Sequence, residues 1–278
     1  KAPRHLHLAP PASASIRRPL AGKPNAGDNI AMRYLELTLP TPAENLALDE
    51  ALLEEAETAS APRETLRMWE CPEMAVIVGR SSQLDVEVDR ATCAQLGIPI
   101  VRRPSGGAAV VLGPGCMVYA LVLSRELRPA LRRIDDAHEY VLRQIVAALA
   151  PCVPNIERAG TSDLVLVQGD STNRRLLKCS GNAVRVKRRH LLYHGTLLYD
   201  FPIERAASCL LMPPRMPAYR AGRSHEQFLA NLPISHEELY RLLPRAWSAE
   251  TTAADWPQMR TAQLACEKYR LATWNEQR

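Results

Sequence analysis

A chain of 278 residues with 46% hydrophobic content can bury a sizeable core, so it is globular, with one large domain or two small ones. Its formal charge of +5 sits mostly at the start, where Lys1, Arg4, Arg17, Arg18 and Lys23 stand against Asp28 alone. The remainder is near neutral and lacks the excess charge of a nucleic-acid binder. No run of about 18 apolar residues occurs, so neither a membrane-spanning helix nor a membrane partner is expected. Seven scattered cysteines without a Cys-x-x-Cys pair suit a reducing, cytoplasmic setting and argue against disulfides or structural zinc; no metal ligands are assigned.

Residues 1–31, rich in Pro, Ala, Ser and Arg, are predicted to be a disordered basic tail, a composition that also fits a transit peptide. Met32 stands immediately before the first strand-like run, which makes a non-native upstream extension an equal reading. Arg33 to Leu39 alternates as a strand, and Thr41-Pro42-Ala43-Glu44 caps a scaffold helix running to about Thr58 with one broad apolar face. Leu66–Glu70 and Ala75–Gly79 read as paired strands around a Cys71-Pro72-Glu73 turn. A helix over about 88–95 ends at Gly97, and a strand from Ile98 delivers Arg102-Arg103-Pro104-Ser105-Gly106-Gly107. Two apolar strands, 108–112 and 116–123, flank Gly113-Pro114-Gly115, and a helix covers about 135–149. Asp163 to Val167 is a strand, and Asn182 to Lys187 begins a hairpin that turns at Arg188-Arg189. Helices are predicted over 203–211 and 235–247, separated by a segment too proline-rich for either element. The count of about eight mostly antiparallel strands with outer helices predicts an α+β sandwich, not a doubly wound sheet.

Two segments carry the candidate chemistry. Gly106 and Gly107 let the main chain approach a ligand and present N–H groups to phosphate oxygens, while Arg102 or Arg103 adds a bidentate donor. Alternation allows only one of the two arginines to face inward. Lys178-Cys179-Ser180-Gly181 followed by His194-Gly195-Thr196 gathers a point charge, a hydroxyl and a flexible backbone, as stabilising an acyl oxyanion or a pentavalent phosphate requires. Asp163 either pairs with a ligand or caps a turn. The plainer alternatives are a glycine turn and an edge hairpin whose basic residues face water. The Walker and dinucleotide glycine patterns are absent.

Taken together, Glu44-Asn45-Leu46-Ala47-Leu48-Asp49-Glu50, Gly79-Arg80, Arg102 to Ala109, Ser162-Asp163-Leu164, Lys178 to Ala183 and His194 to Leu198 resemble the lipoate–protein ligase and lipoyl/octanoyl transferase family, in order from about Arg33 to Asp200. The resemblance implies a biotin/lipoate protein ligase-like catalytic domain of mostly antiparallel sheets over 32–212, with a proline-rich and helical extension over 213–278 packed on it. It implies activation of lipoate or octanoate with ATP and Mg²⁺, then transfer from the acyl-adenylate to a lysine of a lipoyl domain of 2-oxoacid dehydrogenase complexes or of glycine-cleavage H protein. No tightly bound cofactor is expected. By the same resemblance Lys178 is catalytic, and Arg80, Arg102, Arg103, Ser105, Gly106, Gly107, Ala108, Asp163, Ser180, Gly181, Asn182, Ala183, His194, Gly195 and Thr196 bind substrate or adenylate.

The competing activity is an octanoyltransferase that uses a cysteine nucleophile and acyl carrier protein. At the two positions where that family carries the cysteine, this chain has Leu191 and the Gly160-Thr161-Ser162 run. Cys179 neighbours Lys178, but strand neighbours face opposite ways, so Cys179 is assigned to packing. Leu112-Gly113-Pro114 departs from the ligase pattern, and the short region after Phe201 leaves room for a separate accessory subunit or for transfer from preformed lipoyl-AMP. A silent acyl- or protein-binding module, or weak RNA binding through Arg185 to Arg189, are the readings of other classes.

Overall fold

The computed structural model describes residues 32–170, 172–249 and 252–277; the tail expected over 1–31 lies outside the described residues. The strands are β1 (Arg33–Glu36), β2 (Thr65–Glu70), β3 (Ala75–Val78), β4 (Ile100–Arg102), β5 (Val110–Leu112), β6 (Cys116–Ser124), β7 (Ile156–Ala159), β8 (Asp163–Gln168), β9 (Arg175–Val186) and β10 (His190–Leu198). The α-helices are α1 (Pro42–Thr58), α2 (Leu84–Glu87), α3 (Arg90–Leu96), α4 (Ile134–Leu149), α5 (Ile203–Cys209), α6 (His225–Phe228), α7 (His236–Ala246), α8 (Gln258–Leu264) and α9 (Ala272–Asn275). One sheet runs β1-β2-β6-β10-β9-β8-β7 and a smaller one runs β4-β3-β5. Among the described strands only the β1–β2 and β3–β4 pairs are parallel. This is the expected α+β class with mostly antiparallel sheets.

Local signals were realised where they are short-range. Thr41 and Glu44 form a reciprocal capping box behind Pro42, and Gly97 closes α3 at φ 66°, a left-handed cap that favours glycine. Sheet partners depart from the prediction. Instead of pairing with each other, β2 joins β1 and β6 in the large sheet, while β3 joins β4 and β5 in the small one. Likewise β5 and β6 flank the Gly-Pro-Gly turn yet belong to different sheets. The Cys71 and Gly113 corners hand the chain from one sheet to the other, which a turn signature does not distinguish from a hairpin. No described helix is long and apolar enough to cross a membrane.

Helix α1 also differs from a plain amphipathic scaffold. It buries Asn45 and Asp49 completely as well as its leucines, because β2 sends Arg67 beneath it. The Arg67 guanidinium bonds Asp49 Oδ1 at 2.6 Å, Asn45 Oδ1 at 2.6 Å, and the carbonyls of Asn45 and Leu37 at 2.8 and 2.9 Å. Burial lowers the Arg67 pKa, and the Asp49 charge opposes that shift. A buried pair of this kind holds α1 in register on the sheet, and breaking it leaves one charge uncompensated. Arg67→Met is therefore expected to lower stability by about 3–5 kcal/mol, read as a reduced urea midpoint at unchanged m-value.

Candidate active site

A cavity of about 540 Å³ lies between the glycine loop after β4, the β8–β9–β10 strands and the segment after α5. Its apolar part is walled by Leu46, Trp69, Ile77, Val111, Val118, Leu198 and Phe201, and its polar part by Lys178, Asp163, Asn182, Glu87 and Arg220. Pockets that bind small molecules have this division: apolar walls with a few convergent polar groups.

Lys178 reaches the cavity because β9 alternates and carries an irregularity. Lys178 pairs with Val165 and Ser180 with Leu164, leaving Cys179 as the extra residue of a bulge between them. The Lys178 ammonium lies 2.8 Å from Asp163 Oδ1, and Asp163 Oδ2 accepts from the Tyr219 hydroxyl at 2.7 Å. Burial and the neighbouring carboxylate push the Tyr219 phenol well up, so it remains a donor. A Cβ at Gly181 would stand 3.0 Å from the Lys178 nitrogen, so the glycine gives the ammonium its place. Cys179 faces the opposite side: it is fully buried, its thiol bonds the Leu164 carbonyl, and burial pushes its pKa up to about 12. Alternation predicted that assignment.

Arg102 and Arg103 diverge as alternation requires. Arg103 lines the cavity, with Nη2 donating to the carbonyls of Gly106 and Ala108 at 2.6 and 2.9 Å and Nη1 to Ile77 at 3.0 Å. Burial pushes its pKa down to about 10. Its donors shape the loop. Arg102 is fully buried away from the cavity, donating to Gly79, Ser82, Trp274, Asn275 and Gln277 carbonyls, where it anchors the end of the described chain. Arg80 is exposed outside the cavity lining; only its backbone serves the loop, through an N–H donated to Ser105 at 2.8 Å. Of the remaining expected residues, Gly107, Ala108, Asp163, Ser180, Gly181, Asn182, Ala183, His194, Gly195 and Thr196 line the cavity, whereas Ser105 and Gly106 do not.

Ser105 sits behind the wall, 2.6 Å from His194 Nε2, while His194 Nδ1 is 3.8 Å from the otherwise unpartnered Asp49 Oδ2. Its 1% exposure and its bond from Arg103 Nε make this serine a support for the imidazole and the loop, not an accessible nucleophile. Asn182 is held by donation to Ser162 and Ser180 and by acceptance from Tyr119, above Gly195, whose Cβ would collide with the amide oxygen at 1.8 Å.

Several lining residues had no signal in the sequence reading. Glu87 accepts from the Ala109 N–H at 2.6 Å and fixes the far end of the glycine loop. Arg220, His225 and Phe228 come from the strap after α5, which crosses the cavity and joins β9 where the Ala230 N–H donates to the Lys178 carbonyl at 2.9 Å; Tyr219 of the same strap stands behind the lining on Asp163. Arg220 stacks on Phe228 at 4.8 Å. Arg103, Lys178, Arg215 and Arg220 outnumber Glu87 and Asp163 around the cavity, so its field favours an anion.

Once this geometry is set beside known proteins, the chain belongs to the lipoyl protein ligase A/B catalytic domain family, whose model matches residues 41–239. Lipoate–protein ligase 1 of Staphylococcus aureus is 26% identical over 253 residues, covering 84% of this chain and 70% of that protein. Octanoyltransferase LipM of Carboxydothermus hydrogenoformans is 39% identical over 80 residues, 28% of this chain and 29% of that one. A bi-partite lipoate protein ligase from Thermoplasma acidophilum, solved in work that includes its E2 lipoyl domain, superposes with TM-score 0.74 at 21% identity, covering 90% of this chain and 98% of that chain. The fold is the one these ligases share.

Two outcomes follow from the site. Gly79→Ala would put a Cβ 1.9 Å from the Gly107 carbonyl oxygen, so the glycine loop must shift; an overpacking cost of about 1–3 kcal/mol is expected, with faster amide exchange across Gly106 to Ala108. His225 is pushed down to about 4 by burial, Arg220 and Lys178. A depressed histidine stabilises the fold above its unfolded pKa of about 6.5 and loses that contribution as pH falls toward 4. His225→Gln is expected to flatten that part of the stability-versus-pH curve in urea titrations.

Proposed function

We propose that this chain is a lipoate–protein ligase acting on lipoate or octanoate. The observation that carries the reading is the pairing, in one cavity, of an apolar slot with Lys178 and a loop of accessible backbone, with no cysteine among the described residues of the lining. In the first step a carboxylate oxygen attacks the α-phosphorus of ATP and pyrophosphate leaves; Mg²⁺ arrives with the nucleotide as part of the substrate. In the second step the acceptor lysine amine attacks the acyl carbonyl of the adenylate, AMP leaves, and the amine loses a proton. Lys178 supplies fixed positive charge to the carboxylate and phosphate in both steps, and the Arg103-shaped loop holds the adenylate. Such catalysis rests on proximity and preorganised charge and requires no acyl-enzyme.

The acceptor is a lipoyl domain or H protein. The Thermoplasma ligase is bi-partite, which supports a separate accessory chain here. The likeness to an octanoyltransferase favours a second reading, acyl transfer from acyl carrier protein. A non-catalytic binding module is the third.

Incubation of apo-lipoyl domain with the protein, lipoate, ATP and Mg²⁺ is expected to add one lipoyl mass to the acceptor, read by mass spectrometry. Lys178→Ala is expected to lower the rate by at least about 100-fold, the scale of losing one transition-state donor. Modification with preformed lipoyl-AMP alone would assign activation to a partner chain. Modification only with octanoyl-acyl carrier protein and no ATP would establish the transferase, and binding without modification the silent module.

A further inference from the structure

Beyond the cavity, the β9–β10 hairpin ends in a cluster of cations that the site does not use. The Arg125 guanidinium donates to the carbonyls of Lys187 and Arg188 at 3.2 and 3.0 Å and to that of Arg132 at 3.2 Å. These bonds bring the hairpin tip and the segment leading into α4 together. Six cations lie on or beside these two segments: Arg125, Arg132, Arg133, Arg185, Lys187 and Arg188. None of the six forms an ion pair among the described residues. Two large aliphatic side chains are exposed in the same place, Ile134 at 52% and Val186 at 37%. Asp135 and Asp136 follow in the first turn of α4, where the helix dipole already favours them.

We infer that this patch is the docking surface for the acidic face of the acceptor protein whose lysine enters the cavity; the inference rests on the acyl-transfer reading above. Three observations point to that occupant. The patch is continuous with the cavity wall, since Ala183 lines the cavity and Arg185, two residues on, lies on the same face of β9. From Ala183 to the tip at Arg188 the strand covers roughly 16 Å, the breadth over which a small domain would touch the hairpin while presenting one lysine to Lys178. Unpaired cations flanking exposed aliphatics match a protein rim with an apolar centre. No aromatic side chain stands among these residues for bases to stack on, which disfavours RNA. Residues 1–31 cannot supply the missing counter-charge, because they hold five cations and a single acid.

The test uses the full chain with Arg132→Ser, Arg133→Ser and Arg188→Ser combined, and preformed lipoyl-AMP as donor. The expected result is a rise of about tenfold or more in KM for the apo-lipoyl domain, with kcat and the KM for lipoyl-AMP unchanged, and a weaker dependence of acceptor KM on salt. Calorimetric titration of the same acceptor into both proteins reads docking without turnover. If the wild type binds the acceptor and the variant does not, while neither transfers, the docking surface stands and the acyl-transfer reading falls. If transfer proceeds with the acceptor KM unmoved, the docking surface is overturned. It is equally overturned if the variant loses lipoyl-AMP affinity as well, or if single-stranded RNA binds the patch and the acceptor does not.

Discussion

The pairing of Lys178 with Asp163 is the interaction on which the site depends. Asp163 opens β8, Lys178 lies on β9, and Tyr219 comes from the strap after α5, so one carboxylate gathers three stretches of chain far apart in sequence. An ammonium held this way enters the cavity at a fixed angle, and little reorganisation remains when an anion arrives. The strap is tied a second time through the Ala230 N–H to the Lys178 carbonyl. Movement of the strap and movement of the lysine are thereby linked through both the side chain and the backbone of the same residue.

A second constraint acts on the opposite wall. Burying a guanidinium is costly unless each donor finds an acceptor, and Arg103 finds its acceptors in the loop it borders and in the Ile77 carbonyl of β3. The result is a loop whose carbonyls are turned inward toward Arg103. Gly79 allows the Gly107 carbonyl to approach, and Gly107 takes φ 92°, which an L side chain resists. Arg102, one residue earlier, performs the same kind of carbonyl collection on the other face, where its acceptors are Trp274, Asn275 and Gln277. Two adjacent arginines thus fasten the glycine loop on one side and the final described helix on the other.

Much of this was legible locally. The period of two in β9 predicted that Lys178 and Cys179 face apart, Thr41 and Gly97 announced helix ends, and the paired arginines announced that one would be lost to the site. Strand partnership was not legible, because the turns at Cys71 and Gly113 connect different sheets and the choice is made by which faces bury together over a long range. The buried Arg67–Asp49 pair was hidden for a related reason: a charged residue in an alternating strand reads as solvent-facing unless its partner on α1 is known. The strap residues Arg220, His225 and Phe228 follow a proline-rich stretch with no period, so their common property is the cavity they line.

The chemistry that β9 offers the cavity can be argued from a single adjacency. Cys179 and Lys178 are neighbours, so the register of the strand decides whether a thiol or an ammonium faces inward. Burial pushes the Cys179 pKa up, which keeps it a thiol, and its side chain is wholly enclosed in the core. Turning it into the cavity would require a one-residue slip of β9, which would carry Lys178 into the core and expose the apolar set opposite it. The bulge at Cys179 absorbs the extra residue without that slip, so that Lys178 stays beside Asp163 on the cavity side while Cys179 stays in the core with Leu164. Register alone therefore turns the Lys178 ammonium, and not the Cys179 thiol, toward the cavity.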